Sequence, residues 1–409
     1  MIISEKMIIS EIKKKETKIV NQISGHHKNI SLYIHIPFCD VICPYCDFNK
    51  FSKVDNLIPE FIDSLVKEIE IRKIKNSKVS SIFFGGGTPS YISDSNLDLI
   101  FKNLKLNFDF NSEIEISIEV NPKDINRNKI KFYENLGINR ISIGGQSFDN
   151  SVLKKLGRNH SSRELIETIE LIKQSNIKNI NLDLIYGVPG QEISSWEKSL
   201  EKFIEFSIPH LSAYQLTFEP KTKFFKDLLT NKIKELDENI IVKMFNKLNE
   251  FMTNNNYKNY EISNWSKPKM ESQHNLKYWK KENYLGFGPG ASSFIDNNRL
   301  TNVRSLKKYI SNFQNSNLQF DEDYTLNRND KLIENIMLNL RLYDGIKHNE
   351  FKEKFNIDFE KSFSELTEKL IKYDLLKINN ASTRLTQKGK LLSDSIFLMF
   401  EEQIQASSF

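Results

Sequence analysis

Cys39, Cys43 and Cys46 fall in the stretch HIPFCDVICPYCDFNKF, residues 35–51, and the chain has no other cysteine. Their spacing is C-x3-C-x2-C. Three thiols in one short loop argue against a disulfide framework and for metal binding or redox chemistry. Zinc usually takes four Cys or His ligands, often as two close pairs, and no second pair accompanies this one. His35 is near, but it belongs to the run YIHIP, which reads as a strand. Three thiolates at this spacing suit one face of a [4Fe–4S] cubane and leave one iron without a protein ligand.

An open iron can bind a small molecule. If that molecule is S-adenosylmethionine, its amino and carboxylate groups can chelate the fourth iron, and one-electron reduction could then cleave the sulfonium bond to give a 5′-deoxyadenosyl radical. The cofactor carries that chemistry, and the protein supplies orientation and shielding.

Other polar residues sit at the ends of apolar runs. Gly85, Gly86 and Gly87 in FFGGGTPSYIS expose backbone N–H and C=O groups to close approach. They read equally as a tight strand-to-helix turn. No GK[ST] follows, so this is neither a P-loop nor a dinucleotide fingerprint. Glu119 and Gln146 end the third and fourth strand-like runs, and Asp183 lies in the fifth. Each is costly to bury without a partner, and a ribose with its hydroxyls would be one. Arg158, in KKLGRNHSS, suits a carboxylate. Any one of these residues also fits a structural role; together with the cysteines they point to one cleft.

The elements that must position these residues alternate. Strand-like runs are SLYIHIP, VSSIFFGGG, EIEISIEVNP, NRISIGGQS, NINLDLIYGVP and HLSAYQLTFEP, with amphipathic helical patterns between them. This alternation predicts α/β architecture with a parallel sheet, here a partial (β/α)6 barrel whose site lies at the C-terminal strand ends. The expected organisation is an N-terminal extension over 1–30, a barrel core over 31–260, a connecting region over 261–324 and a smaller, mostly helical, winged-helix-like domain over 325–409. The extension repeats MIIS and carries His26 and His27, which read as solvated side chains. Nothing strongly basic lines the candidate recognition helix of the winged-helix segment, so a structural role is expected there.

Hydrophobic residues make up 39% and charged residues 27% of the 409, the balance of a soluble protein. No apolar run approaches the ~20 residues of a membrane span, and no signal-peptide pattern is visible. The net charge of +5 is dispersed along helices, which argues against nucleic acid as a partner. A cytoplasmic location is expected.

The motifs YIHIPFCDVICPYCDFN, FFGGGTPS, IEVNP, RISIGGQSFD, LKKLGRNHS, NLDLIYGVPGQ and LSAYQLTFEP, in this order, resemble the HemW-type heme chaperones of the radical SAM superfamily. These are related to oxygen-independent coproporphyrinogen III oxidase. HNLKYW, His274 to Trp279, resembles the HNxxYW motif of that branch, and RLTQKGKLLSDSIF its C-terminal domain. The likeness runs from about residue 31 to about 400. It implies that Cys39, Cys43 and Cys46 hold the [4Fe–4S] cluster. It implies contact with S-adenosylmethionine for Tyr33, Gly86, Gly87, Thr88, Glu119, Gln146, Arg158 and Asp183, and for Tyr45 through its backbone. It makes His274 the heme-contacting candidate, with Tyr278 and Trp279 beside it; a hydrogen-bonded core histidine is the alternative there. Gly145 departs from the pattern, standing where the family usually has a larger apolar residue.

Two functions follow. One is a heme chaperone that passes heme to hemoproteins such as respiratory enzymes; a homodimer and peripheral contact with membrane hemoproteins are compatible with it. The other is an oxidase that turns coproporphyrinogen III into protoporphyrinogen IX in porphyrin biosynthesis. The oxidase branch resembles C-x3-C-x2-C-x-C, whereas the final position here is Phe48, and it lacks HNxxYW. Both features favour the chaperone without oxidase activity.

Overall fold

In the computed structural model, residues 29–74, 77–315 and 318–407 are described; His26, His27 and nearly all of the N-terminal extension lie outside them. The chain divides into two compact units, 1–248 with 283–324, and 249–282 with 325–409. The stretch 261–324 thus contributes to both.

The first unit is the expected α/β barrel core. Its strands are β1 (Asn29–Ile36), β2 (Lys78–Gly86), β3 (Asp109–Val120), β4 (Arg140–Gln146), β5 (Asn179–Tyr186) and β6 (His210–Gln215), paired parallel in sequence order. The crossover helices include Ile58–Ile71, Asp94–Asn107, Arg127–Leu136, Ser162–Lys173 and Ile193–Glu205. Their boundaries follow from local chemistry. Ser93 and Asn126 cap two N-termini, and Ser161 with Glu164 forms a reciprocal capping box at a third. Gly137 closes the helix Arg127–Leu136 at φ +90, a conformation glycine adopts without strain.

The strands are buried along most of their length, as expected where helices cover a parallel sheet. Partial exposure recurs inside them at Tyr33, Phe83, Glu119, Gly144 and Asp183. These positions face the inner side of the barrel.

Beyond the six strands, β9 (Tyr284–Phe287) pairs parallel with β1 on the side away from β2. β10 (Ser292–Ile295), β11 (Asn298–Asn302) and β12 (Phe320–Thr325) extend the sheet outward from it. The turn after β9 is tied to the helix Ile58–Ile71 by a buried network. Glu68 accepts from Arg72 at 2.6 Å, Asn302 at 2.7 Å, the Tyr309 hydroxyl at 2.6 Å and the Gly288 N–H at 2.8 Å. Arg72 also donates to the Gly286 carbonyl and the Ser293 hydroxyl.

In the second unit, β7 (Lys258–Glu261) and β8 (Asn264–Ser266) form a hairpin, and the helix Gln273–Trp279 carries HNLKYW. The C-terminal part packs helices Arg328–Arg341, His348–Phe355, Ser364–Lys372 and Ser393–Ala406 around Leu332, Phe351, Phe359, Phe363 and Phe400. A small antiparallel sheet of β13 (Ile346–Lys347), β15 (Ser382–Leu385) and β14 (Leu376–Ile378) completes it.

Candidate functional site

The cysteine loop leaves β1 through Pro37, and its base is closed by backbone bonds from Cys39 to Phe51 and from Phe51 to Pro37. Cys39 is buried; Cys43 and Cys46 are half-buried, and none is disulfide-bonded. Burial pushes the Cys39 thiol up to about 11, opposed by the Thr88 hydroxyl that donates to its sulfur at 3.4 Å. Burial also raises Cys46. The Arg158 guanidinium approaches the Cys43 sulfur at 3.5 Å. Among the described residues no group of three or more His, Cys, Asp or Glu is close enough to hold a single ion. A cubane asks less of them, since each thiolate takes a different iron.

The glycine turn packs directly on this loop. A Cβ at Gly87 would meet the Phe38 carbonyl at 2.8 Å and the Cys39 sulfur at 2.9 Å. One at Gly86, whose φ is +121, would meet the His35 ring at 2.7 Å. Only bare backbone fits against the chain's own residues here.

His35 has a positioning role that the sequence did not disclose. Its Nε2 lies 2.7 Å from the Asn49 carbonyl, which can only accept, so Nε2 carries the proton and Nδ1 accepts from the Tyr33 hydroxyl at 2.9 Å. Burial lowers this imidazole to about 4 and keeps it neutral. Asn49 in turn donates to the carbonyls of Pro289 and Arg304. The far side of the cysteine loop is therefore fastened to the turn after β9 and to the segment just past Asn298–Asn302.

Inside the barrel, Glu119 accepts the Gly86 N–H at 3.1 Å. Burial, with Asp183 adding like charge, raises its carboxyl to about 8. Asp183 is raised too, by burial, and accepts from Asn181 at 2.7 Å and Ser142 at 3.3 Å. Two carboxyls pushed upward by burial in one barrel mouth mark a candidate binding site. Gln146 ends β4 in the left-handed region at φ +64, an uncommon conformation for a side chain with Cβ. Its Oε1, and the Nε of Arg158, are buried without a hydrogen-bond partner. Gly145 leaves no room for a larger residue, because Leu182 and Leu165 already occupy that space.

These observations fit the expected cofactors. The donor set is three thiols on one loop, beside bare glycine backbone, raised carboxyls and two orphaned polar atoms. Tyr45 lies in the loop with its ring against Phe224, in an apolar cluster with Val152, Leu156 and Val188. Val41, Ile42 and Phe48 stand exposed on the loop, Phe48 at 69%.

The heme candidates lie in the second unit. His274 is fully buried, its Nε2 2.8 Å from the Tyr278 hydroxyl, and burial lowers it to about 3. The Trp279 ring carries the Arg341 guanidinium 4.7 Å above it.

Residues 33–203 match the radical SAM superfamily and residues 326–392 the HemN C-terminal domain. The chain is 33% identical to the heme chaperone HemW of Bacillus subtilis over 90% of its length and 98% of that protein. It is 36% identical to the HemW of Buchnera aphidicola subsp. Schizaphis graminum, over 91% of its length and 98% of the relative. In fold it is similar to coproporphyrinogen III oxidase (HemN) from Escherichia coli, with a TM-score of 0.81, 23% identity, and coverage of 93% of this chain and 92% of that one. With the cysteine loop, the glycine turn and the HNxxYW helix all in place, the chain belongs to the radical SAM superfamily and, within it, to the HemW family of heme chaperones.

Proposed function

We propose that this chain is a heme chaperone that holds a [4Fe–4S] cluster and S-adenosylmethionine in its barrel, binds heme, and passes heme to hemoproteins. Cys39, Cys43 and Cys46 would ligate three irons. The Arg158 guanidinium, with an unsatisfied Nε, suits the methionine carboxylate. The glycine turn at Gly86 and Gly87, with Thr88, offers backbone to the amino group, and Glu119, Gln146 and Asp183 suit the ribose hydroxyls. Tyr33 lines the inner wall, and Tyr45 supports the loop. When bound, the cluster supplies single electrons and S-adenosylmethionine a carbon–sulfur bond that they can open.

The observation that favours delivery over oxidation is Phe48. Two residues past Cys46, at the place of a fourth thiol in the oxidases, an apolar ring stands open to solvent. His274 is the proposed heme contact, with Tyr278 and Trp279 beside it. Ligation through His274 Nε2 requires the Tyr278 hydroxyl to give way.

The test is anaerobic. The full chain, reconstituted with iron and sulfide, is given S-adenosylmethionine, a reductant and coproporphyrinogen III, and separately heme with an apo-hemoprotein. Heme transfer without porphyrin turnover is expected; catalytic formation of protoporphyrinogen would overturn the chaperone reading.

A further inference from the structure

The turn Gly157-Arg158-Asn159-His160 touches the cysteine loop and two strand ends with consecutive residues. Gly157, at φ +67, lies against the Pro44 ring, where a Cβ would come within 2.6 Å of Pro44 Cδ. Arg158 donates to the Gly144 carbonyl at 2.8 Å and reaches the Cys43 sulfur. Asn159 Nδ2 donates to Asp40 Oδ2 at 2.8 Å, and its Oδ1 accepts from Asn121 Nδ2 at 3.0 Å. His160 Nε2 donates to the Gly145 carbonyl at 3.1 Å, just before the left-handed Gln146. One short turn thus clasps Asp40, Cys43 and Pro44 on one side and the ends of β3 and β4 on the other.

We infer that Asn159 is a positioning residue: its amide latches Asp40, the neighbour of Cys39, to Asn121 just past the end of β3, and so holds the cysteine loop in register with the strand ends that take S-adenosylmethionine. The residue type is required by its two partners. Asp40 can only accept and Asn121 here donates, so the bridge must donate on one side and accept on the other, which a planar carboxamide does. Asn159 reaches no proposed cofactor group itself and acts through Asp40. The inference rests on the cofactor reading given under Proposed function.

A charge swap tests it. Asn159→Asp sets two carboxylates face to face. Adding Asp40→Asn restores a donor and an acceptor across the same gap while leaving an acceptor for Asn121. Asp40→Asn alone keeps an acceptor opposite Asn159 and serves as the near-silent control. The four full-length proteins are reconstituted anaerobically, and S-adenosylmethionine affinity is measured by equilibrium dialysis. The electron paramagnetic resonance spectrum of the reduced cluster is recorded with and without S-adenosylmethionine, alongside iron content and melting temperature. Expected are a loss of affinity of roughly fivefold or more in Asn159→Asp, an altered spectral response to S-adenosylmethionine at wild-type iron content and melting temperature, and recovery in the double variant. Wild-type affinity and spectrum in Asn159→Asp would overturn the latch. So would joint loss of iron and stability that the double variant fails to recover. A wild type that binds no S-adenosylmethionine would instead overturn the reading of the site.

Discussion

Glu119 Oε2 accepts the Gly86 N–H at 3.1 Å, joining the end of β3 to the glycine turn that packs on Cys39. A carboxyl therefore supports the turn from inside the barrel. Because burial first, and Asp183 second, raise this carboxyl to about 8, the folded chain keeps a proton that the unfolded chain surrenders near the ordinary range. The resulting stabilisation is complete below about pH 4 and is lost as pH rises through about 8. The melting temperature of the cluster-free chain should fall between about pH 5 and pH 8.5. Glu119→Gln, which keeps the acceptor for Gly86, should fall less steeply. Parallel profiles for the two proteins would refute the assignment.

Gly87→Ala should damage both fold and cluster. The new methyl meets backbone at Pro37 and Phe38 and the Cys39 sulfur, none of which can rotate away cheaply. A loss of about 1–3 kcal/mol in chemical denaturation is expected, with reduced iron content after reconstitution. Gly137→Ala is the contrast. Its Cβ meets nothing within 4 Å and its cost is confined to a φ of +90, so it should lose stability while retaining full iron. Equal iron content in the two variants would show that the packing at Gly87 does not matter to the cluster.

Glu68→Gln should be among the most destabilising single changes in the first unit. It leaves Arg72, 1% exposed, without its counter-charge. About 3–5 kcal/mol is expected for breaking one half of such a buried pair, read from urea unfolding. A loss below 1 kcal/mol would mean that the network relaxes without consequence.

Tyr278→Phe should strengthen heme binding by roughly fivefold, because it removes the hydroxyl that ligation at His274 Nε2 must displace. His274→Ala should weaken it and shift the heme absorption spectrum. If both variants titrate like wild type, His274 is no heme ligand and its imidazole belongs to the packing of its helix.

The barrel was legible because its strands are continuous apolar runs separated by amphipathic helices, a pattern that survives without tertiary context. The residues at the strand ends were legible for the opposite reason: a Glu, Gln or Asp inside an apolar run is costly and therefore conspicuous. Strands β9–β12 were not. They are short, and Tyr284–Phe287 contains a glycine where β9 abuts its neighbours. What makes that segment a strand is β1, about 250 residues earlier. Glu68 looked like any charged residue on a helix, since its partners Asn302 and Tyr309 are 234 and 241 positions away. Asn49 and Asn159 were in view within quoted motifs, but an amide announces a hydrogen bond without naming its partner. The backbone state of Gln146 left no mark in the sequence, because left-handed geometry at a non-glycine residue is imposed by its surroundings.

The fastening of Asn49 to Pro289 and Arg304 sets an order of events during synthesis. These partners follow Asn49 by 240 and 255 residues. At roughly 5–20 residues per second, the cysteine loop leaves the ribosome about 10–50 s before its outer anchor exists. Through that interval Cys39, Cys43 and Cys46 are carried on a nascent barrel whose loop is held by its base and, once it has emerged, by the turn 157–160, but not yet by Pro289 and Arg304. Iron loading during translation would meet an open, adaptable loop, whereas loading after release would meet one already pinned on both sides.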